Sequence, residues 1–171
     1  MPKTMVEDPK VIVSAGWLHE RINDQLIKVI DTSWCMATMK RDPVAEHRLK
    51  QIPGAWFFDN EEICDKQSDL PHMAPPEDHF SSALNTSGIR KDHQLIVYDG
   101  MGLFSSPRVW WLFKLMGHDK VAVLDGGLPK WIDEGRPITD RAEPEEPFVG
   151  QPYLQNHLIA DFDKVFVSVR E

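Results

Sequence analysis

LIVYDGMGLFSSPRVWWLFKLMG, Leu95 to Gly117, decides the fold. Leu95-Ile96-Val97-Tyr98 is a short apolar run of the kind that forms a buried strand, and it stops at Asp99. A loop of mostly small residues follows: Gly100, Met101, Gly102, Leu103, Phe104 and Ser105. Ser106 is expected as a helix N-cap. Pro107 suits the first helical position, where a missing N–H costs nothing. Val109 to Met116 is apolar almost all round, broken by Lys114, and Gly117 fits a left-handed C-cap. A second apolar run, Val121 to Leu124, ends at Asp125-Gly126-Gly127. Strand, loop, helix and strand make a right-handed parallel crossover. In such units chemistry sits at the carboxyl ends of strands and the N-termini of helices. The loop from Asp99 to Ser106 is therefore expected to face any site.

Working outward, Val11 to Val13 reads as a first strand, and Ser14 caps a helix reaching about Ile22. Leu26 to Ile30 is a second strand, ending at Asp31-Thr32-Ser33-Trp34. Arg41-Asp42-Pro43 opens a polar helix, Val44 to Lys50, and Ala55 to Phe58 is a third strand. Asp59 to Pro76 is a long irregular loop, of a length that is usually functional or disordered. Pro75-Pro76 starts a helix through about Leu84, and Leu128 to Glu134 is a short helix ended by Gly135. Five strands alternating with helices predict an α/β fold: a five-stranded, mostly parallel sheet with helices on both faces. Residues 1–10 read as a loose arm and residues 11–140 as the folded domain. Residues 141–157, which contain RAEPEEPFVGQP, read as a linker. Residues 158–171 begin an amphipathic element, as if a second domain had been cut off.

The chain has 171 residues, two cysteines and a net charge of −8. The acidic balance argues against nucleic-acid and anionic-membrane surfaces. Cys35 and Cys64 are too few for a disulfide framework, and no window is apolar for long enough to span a bilayer. The expectation is a soluble, cytoplasmic protein, or a mitochondrial one if the source is eukaryotic. The seven histidines have no metal-ligand spacing, so no metal and no cofactor is expected.

Several short pieces in order then become specific: VSAGWL, IDTSW, IPGAWFFD, HM in the long loop, IVYDGMGLFSSPRVWWLFKLMGH, and VAVLDGGLPKW followed by GRPI. Together they resemble the rhodanese family. In particular they resemble the first, non-catalytic domain of a two-domain thiosulfate or 3-mercaptopyruvate sulfurtransferase. The resemblance implies a three-layer rhodanese-like fold over about Val11 to Ile138. In such proteins a cysteine in the second domain carries sulfane sulfur as a persulfide. It takes sulfur from thiosulfate or 3-mercaptopyruvate and passes it to cyanide or a thiol. The cysteine lies in a ring of loop N–H groups that stabilises its thiolate. In the first domain an aspartate stands at the equivalent place, here Asp99, so Asp99 to Ser105 is implied to be a degenerate active-site loop. The implied partners are a second rhodanese domain of the same protein and a small anionic sulfur donor. Trp34 and Phe104 match cleft-lining aromatics. His72, with Glu61 eleven residues before it, matches a pair that reaches toward the catalytic loop; the family has aspartate where Glu61 stands and histidine where Gln51 stands.

The residues also allow plainer readings. Asp99 could hold its own loop by accepting N–H bonds from Met101 or Gly102. Arg108, set against the helix dipole, reads as an ion pair with Asp99 or Asp125. Cys35 and Cys64 lack the short glycine-rich loop of a sulfur carrier. A different class of reading is a stand-alone inactive module that binds a partner through the exposed face of the Val109–Met116 helix. A third makes Asp99 a phosphotransfer nucleophile. That chemistry uses a second acid two residues on, and Met101 occupies the position.

Overall fold

A computed structural model describes residues 11–142 and, beyond them, residues 144, 147, 156–160, 164, 165 and 168. The expected arm at 1–10 lies outside the described residues. So does more than half of the expected linker at 141–157 and of the element at 158–171.

The elements follow one another as β1 (Ile12–Val13), α1 (Ala15–Arg21), β2 (Ile27–Asp31), α2 (Pro43–Leu49), β3 (Ala55–Phe57), α3 (Glu77–Ala83), β4 (Gln94–Tyr98), α4 (Ser106–Leu115), β5 (Val121–Leu124) and α5 (Gly127–Asp133). Short 3₁₀ turns lie at Ala37–Met39 and Asn156–Leu158. Local chemistry sets several starts. The Ser14 side chain accepts the Trp17 N–H at 3.1 Å, and Asp42 accepts the Ala45 N–H ahead of Pro43. Such caps contribute about 1 kcal/mol each.

The five strands form one sheet in the order β1-β5-β4-β2-β3, and every strand pair is parallel. An antiparallel bridge, Gln51 to Thr139, lies outside the strands. Side-chain alternation divides the interior into two cores. Leu95 and Val97 of β4 join Val109, Leu112, Phe113 and Phe80 on one face. Ile96 and Tyr98 join Leu18, Leu128 and Trp131 on the other. α3 and α4 thus cover one face, and α1 and α5 the other. Helices on both faces make the three-layer α/β fold that the sequence predicted.

Candidate functional site

β2 and β4 are neighbours, with Asp31 opposite Tyr98, so their following loops leave the sheet side by side. Asp99 comes directly after β4 and is 1% exposed. Its Oδ1 accepts the Met101 N–H at 2.9 Å. Its Oδ2 accepts the N–H groups of Phe104, Ser105 and Ser106 at 2.9, 3.0 and 2.9 Å. The Ser106 hydroxyl adds a fourth bond to Oδ2, at 2.7 Å. A ring of backbone donors at the mouth of α4 is thereby filled by the chain's own carboxylate.

This arrangement corrects the expected cap. Ser105, not Ser106, is the N-cap, and it makes no side-chain cap bond. Its hydroxyl donates instead to the Thr32 carbonyl at 2.7 Å. Asp99 reaches across the loop and satisfies the free helical N–H groups that a serine would have served.

Beside this loop lies a slot of about 160 Å³ lined by Trp34, Asn60, His72, Phe104, Ser105 and Arg108. Trp34 and Phe104 stack, with ring centroids 5.9 Å apart and planes 12° from parallel. The His72 ring meets Trp34 edge-on at 5.0 Å. Glu61 Oε1 accepts the Trp34 Nε1–H at 2.5 Å and lies 3.8 Å from His72 Nε2. The fold therefore brings together Trp34, Glu61, His72 and Phe104. His72 has φ 56°, in the left-handed region. Strain of this kind concentrates at functional sites.

Arg108 holds that backbone in place. Its guanidinium donates to the His72 carbonyl at 2.6 Å and to Asn60 Oδ1 at 3.0 Å. The expected ion pair with Asp99 or Asp125 is not formed. Asp99 is consumed by its loop, and Asp125 pairs with Lys130 at 2.5 Å. Burial lowers the pKa of Arg108 below its ordinary value, with Cys64 and Glu61 pulling the other way.

The α4 surface also differs from expectation. From Arg108 to Met116 every residue is buried or half-buried, and Trp110 donates its Nε1–H to the Val121 carbonyl. The helix offers no exposed face. Exposed apolar side chains lie instead on the loop before it, at Met101, Leu103 and Phe104.

Neither cysteine sits in a cradle of N–H groups. Cys64 is buried and donates to the Glu61 carbonyl at 3.1 Å. Burial raises the Cys35 thiol above its ordinary pKa; Arg41 opposes the rise, and Glu46 and Asp99 reinforce it. Among the described residues no cluster of three acids, histidines or cysteines could hold a metal. No helix there is long and apolar enough to cross a membrane.

Sequence reasoning missed a second buried carboxylate. Asp31 closes β2 as Asp99 closes β4, and that parallel was the available signal. Its Oδ1 accepts the Ser33 N–H and hydroxyl at 3.0 and 2.5 Å. Its Oδ2 accepts the Tyr98 hydroxyl at 3.1 Å and meets His47 Nδ1 at 2.8 Å.

Fold and cradle define an α/β domain that holds an anionic group at a helix N-terminus. The chain matches the Rhodanese-like domain family over residues 14–134 and belongs to it. It is 51% identical over 124 residues to thiosulfate/3-mercaptopyruvate sulfurtransferase 2 of Arabidopsis thaliana, covering 72% of this chain and 36% of that protein. It is 38% identical to the thiosulfate sulfurtransferase of Gallus gallus, covering 94% of this chain and 57% of that protein. The crystal structure of the 3-mercaptopyruvate sulfotransferase SseA of Escherichia coli superposes with a TM-score of 0.87 at 34% identity, covering 95% of this chain and 63% of that one. The chain thus spans about a third to somewhat over half the length of these curated relatives.

Proposed function

We propose that this chain is the half of a two-domain sulfurtransferase that lacks the nucleophile. In the whole protein a cysteine of the second rhodanese domain would attack the outer sulfur of thiosulfate and release sulfite. Alternatively it would take the sulfur of 3-mercaptopyruvate and leave pyruvate. Cyanide or a thiol would then remove that sulfur from the persulfide and restore the thiolate.

One observation carries the reading: Asp99 fills the N–H cradle with its own carboxylate. A carboxylate there carries no transferable sulfur and repels an anionic donor. The contribution of this half is a wall. Trp34 and Phe104 form a stacked aromatic surface, and His72 stands beside it, its carbonyl gripped by Arg108. The exposed Met101, Leu103 and Phe104 suit contact with the second domain. The reading places the protein in the cytoplasm, or in mitochondria of a eukaryote, with no nucleic-acid or membrane partner.

The test is sulfur transfer by this chain alone, from thiosulfate or 3-mercaptopyruvate to cyanide, beside a Cys35→Ser/Cys64→Ser double variant. No turnover is expected until the second domain is supplied. Turnover by the wild-type chain that disappears in the double variant would overturn the reading.

A further inference from the structure

A larger cavity lies on the other side of the Asp99 loop. It measures about 700 Å³ and is bounded by the Asp31 network, α2 and the start of α5. That volume falls within the range of small-molecule pockets, roughly 300–1,000 Å³. It shares no lining residue with the slot at Trp34, so it does not rest on the sulfur-transfer reading.

The hydrogen bonds around Asp31 fix the polarity of the cavity floor. The Ile52 N–H points to the Tyr98 hydroxyl, which donates to Asp31. The Gly100 N–H donates to the Ser33 hydroxyl at 2.9 Å, which also donates to Asp31. A carboxylate receiving these donors is an acceptor only, so His47 must present Nδ1–H to it. In the Nδ1–H tautomer the other ring nitrogen, Nε2, is an acceptor, and it makes no hydrogen bond with the described residues. The His47 side chain is 10% exposed and lines the cavity. An imidazole whose tautomer is fixed by a buried carboxylate is an oriented hydrogen-bond acceptor.

The rest of the cavity sets the ligand's other features. Leu128, Pro129 and Ile132 make an apolar wall. Arg41 is already doubly bonded to Glu46, at 2.8 and 2.6 Å. Lys50 lines the cavity and makes no hydrogen-bonded ion pair with a described carboxylate, although its charge reaches Glu46, which Arg41 already holds. The cavity thus combines an acceptor at its floor, an apolar side and an available cation.

We propose that this cavity binds a short-chain carboxylate carrying a hydrogen-bond donor, hydroxyl or thiol. The donor meets His47 Nε2 and the carboxylate meets Lys50. Gly100 links the cavity to the Asp99 loop through Ser33, so occupancy is expected to move the Gly100 amide resonance.

The test is an NMR titration of the 171-residue chain, following histidine ring and backbone amide signals. The probes are 3-hydroxypropionate, 3-mercaptopropionate and propionate. Saturable shifts of the His47 ring and the Gly100 amide are expected with one or both of the first two. Propionate, which lacks the donor, should bind about tenfold more weakly, the effect of one ordinary hydrogen bond. His47→Gln should weaken binding at least as much. Lys50→Ala, at an exposed position, should weaken it several-fold without touching the fold, and so serves if His47→Gln misfolds. The proposal is overturned by equal binding of propionate, by unchanged binding in Lys50→Ala, or by the absence of saturable His47 shifts. Shifts confined to His72 and Trp34 would put the probe in the other slot and overturn it as well.

Discussion

Replacing Asp99 by alanine removes five hydrogen bonds from one loop. Ser105 and Ser106 are 6% and 0% exposed, so water cannot take over their two N–H groups and the Ser106 hydroxyl. A buried donor left without a partner costs about 1–3 kcal/mol. Three of them set a range of roughly 3–9 kcal/mol. Two effects reduce it: the carboxylate's own desolvation cost disappears, and the Ser106 hydroxyl can turn to another acceptor. The expected loss is about 3–5 kcal/mol, a large share of the 5–15 kcal/mol typical of a folded domain. Asp99→Asn keeps one acceptor oxygen but turns an amide toward the Met101 N–H, and should lose about 1–2 kcal/mol. The assay is urea unfolding followed by tryptophan fluorescence, comparing midpoints at equal slope. An Asp99→Ala variant within about 1 kcal/mol of wild type would refute the claim that the carboxylate organises the loop. Asp99→Cys places a thiol in the same cradle. Its pKa should fall below the ordinary value of about 8.5, as read by the pH dependence of iodoacetamide alkylation in a Cys35→Ser/Cys64→Ser background.

Burial lowers the pKa of both His93 and His118; Arg90 adds to the effect at His93, and the His93 carbonyl opposes it at His118. The unfolded chain then binds more protons than the native one just below the ordinary histidine pKa. Stability is expected to be complete above about pH 6.5 and to fall as pH drops through the depressed native values. Urea midpoints measured between about pH 7.5 and 5.5 should decline, and His93→Gln/His118→Gln should flatten the decline. Gly127 has φ 53°, and a Cβ there would lie 2.4 Å from the Asp99 carbonyl oxygen. Gly127→Ala should therefore cost about 2–4 kcal/mol in the same unfolding assay. Trp131 is fully buried, with its Nε1–H on the Pro137 carbonyl at 2.7 Å. Trp131→Ala should lose about 3–5 kcal/mol.

The strands were legible because each is a nearly unbroken apolar run between polar punctuation, as a parallel sheet covered on both faces requires. The three elements of the crossover, β4, α4 and β5, lie where they were read, with the two strands parallel. The cap of α4 was not legible. Ser105 and Ser106 are locally equivalent candidates, and the group that serves the helix, Asp99, lies six residues before the first of them. Trp34 lies 27 residues before Glu61, and no local pattern in the sequence links it to Glu61 and His72. Arg108 was misassigned because a cation invites a carboxylate, whereas the fold gives it two neutral carbonyl oxygens. Asp31 and His47 went unread because each looks ordinary in sequence. Their significance comes from strand pairing, which sets Tyr98 beside Asp31.

The sheet order also constrains how the chain can be made. β1 leaves a ribosome before the other four strands of this sheet, yet its partner is β5, with Ile12 beside Val123. The central ribbon of β2, β3 and β4 can assemble from residues 27–98 alone, while the first strand waits for more than a hundred further residues. Until then one edge of the ribbon lacks β5 and stands open to neighbouring nascent chains. Long-range parallel closure of this kind is slow, so holdase dependence during synthesis should track exposure of that edge.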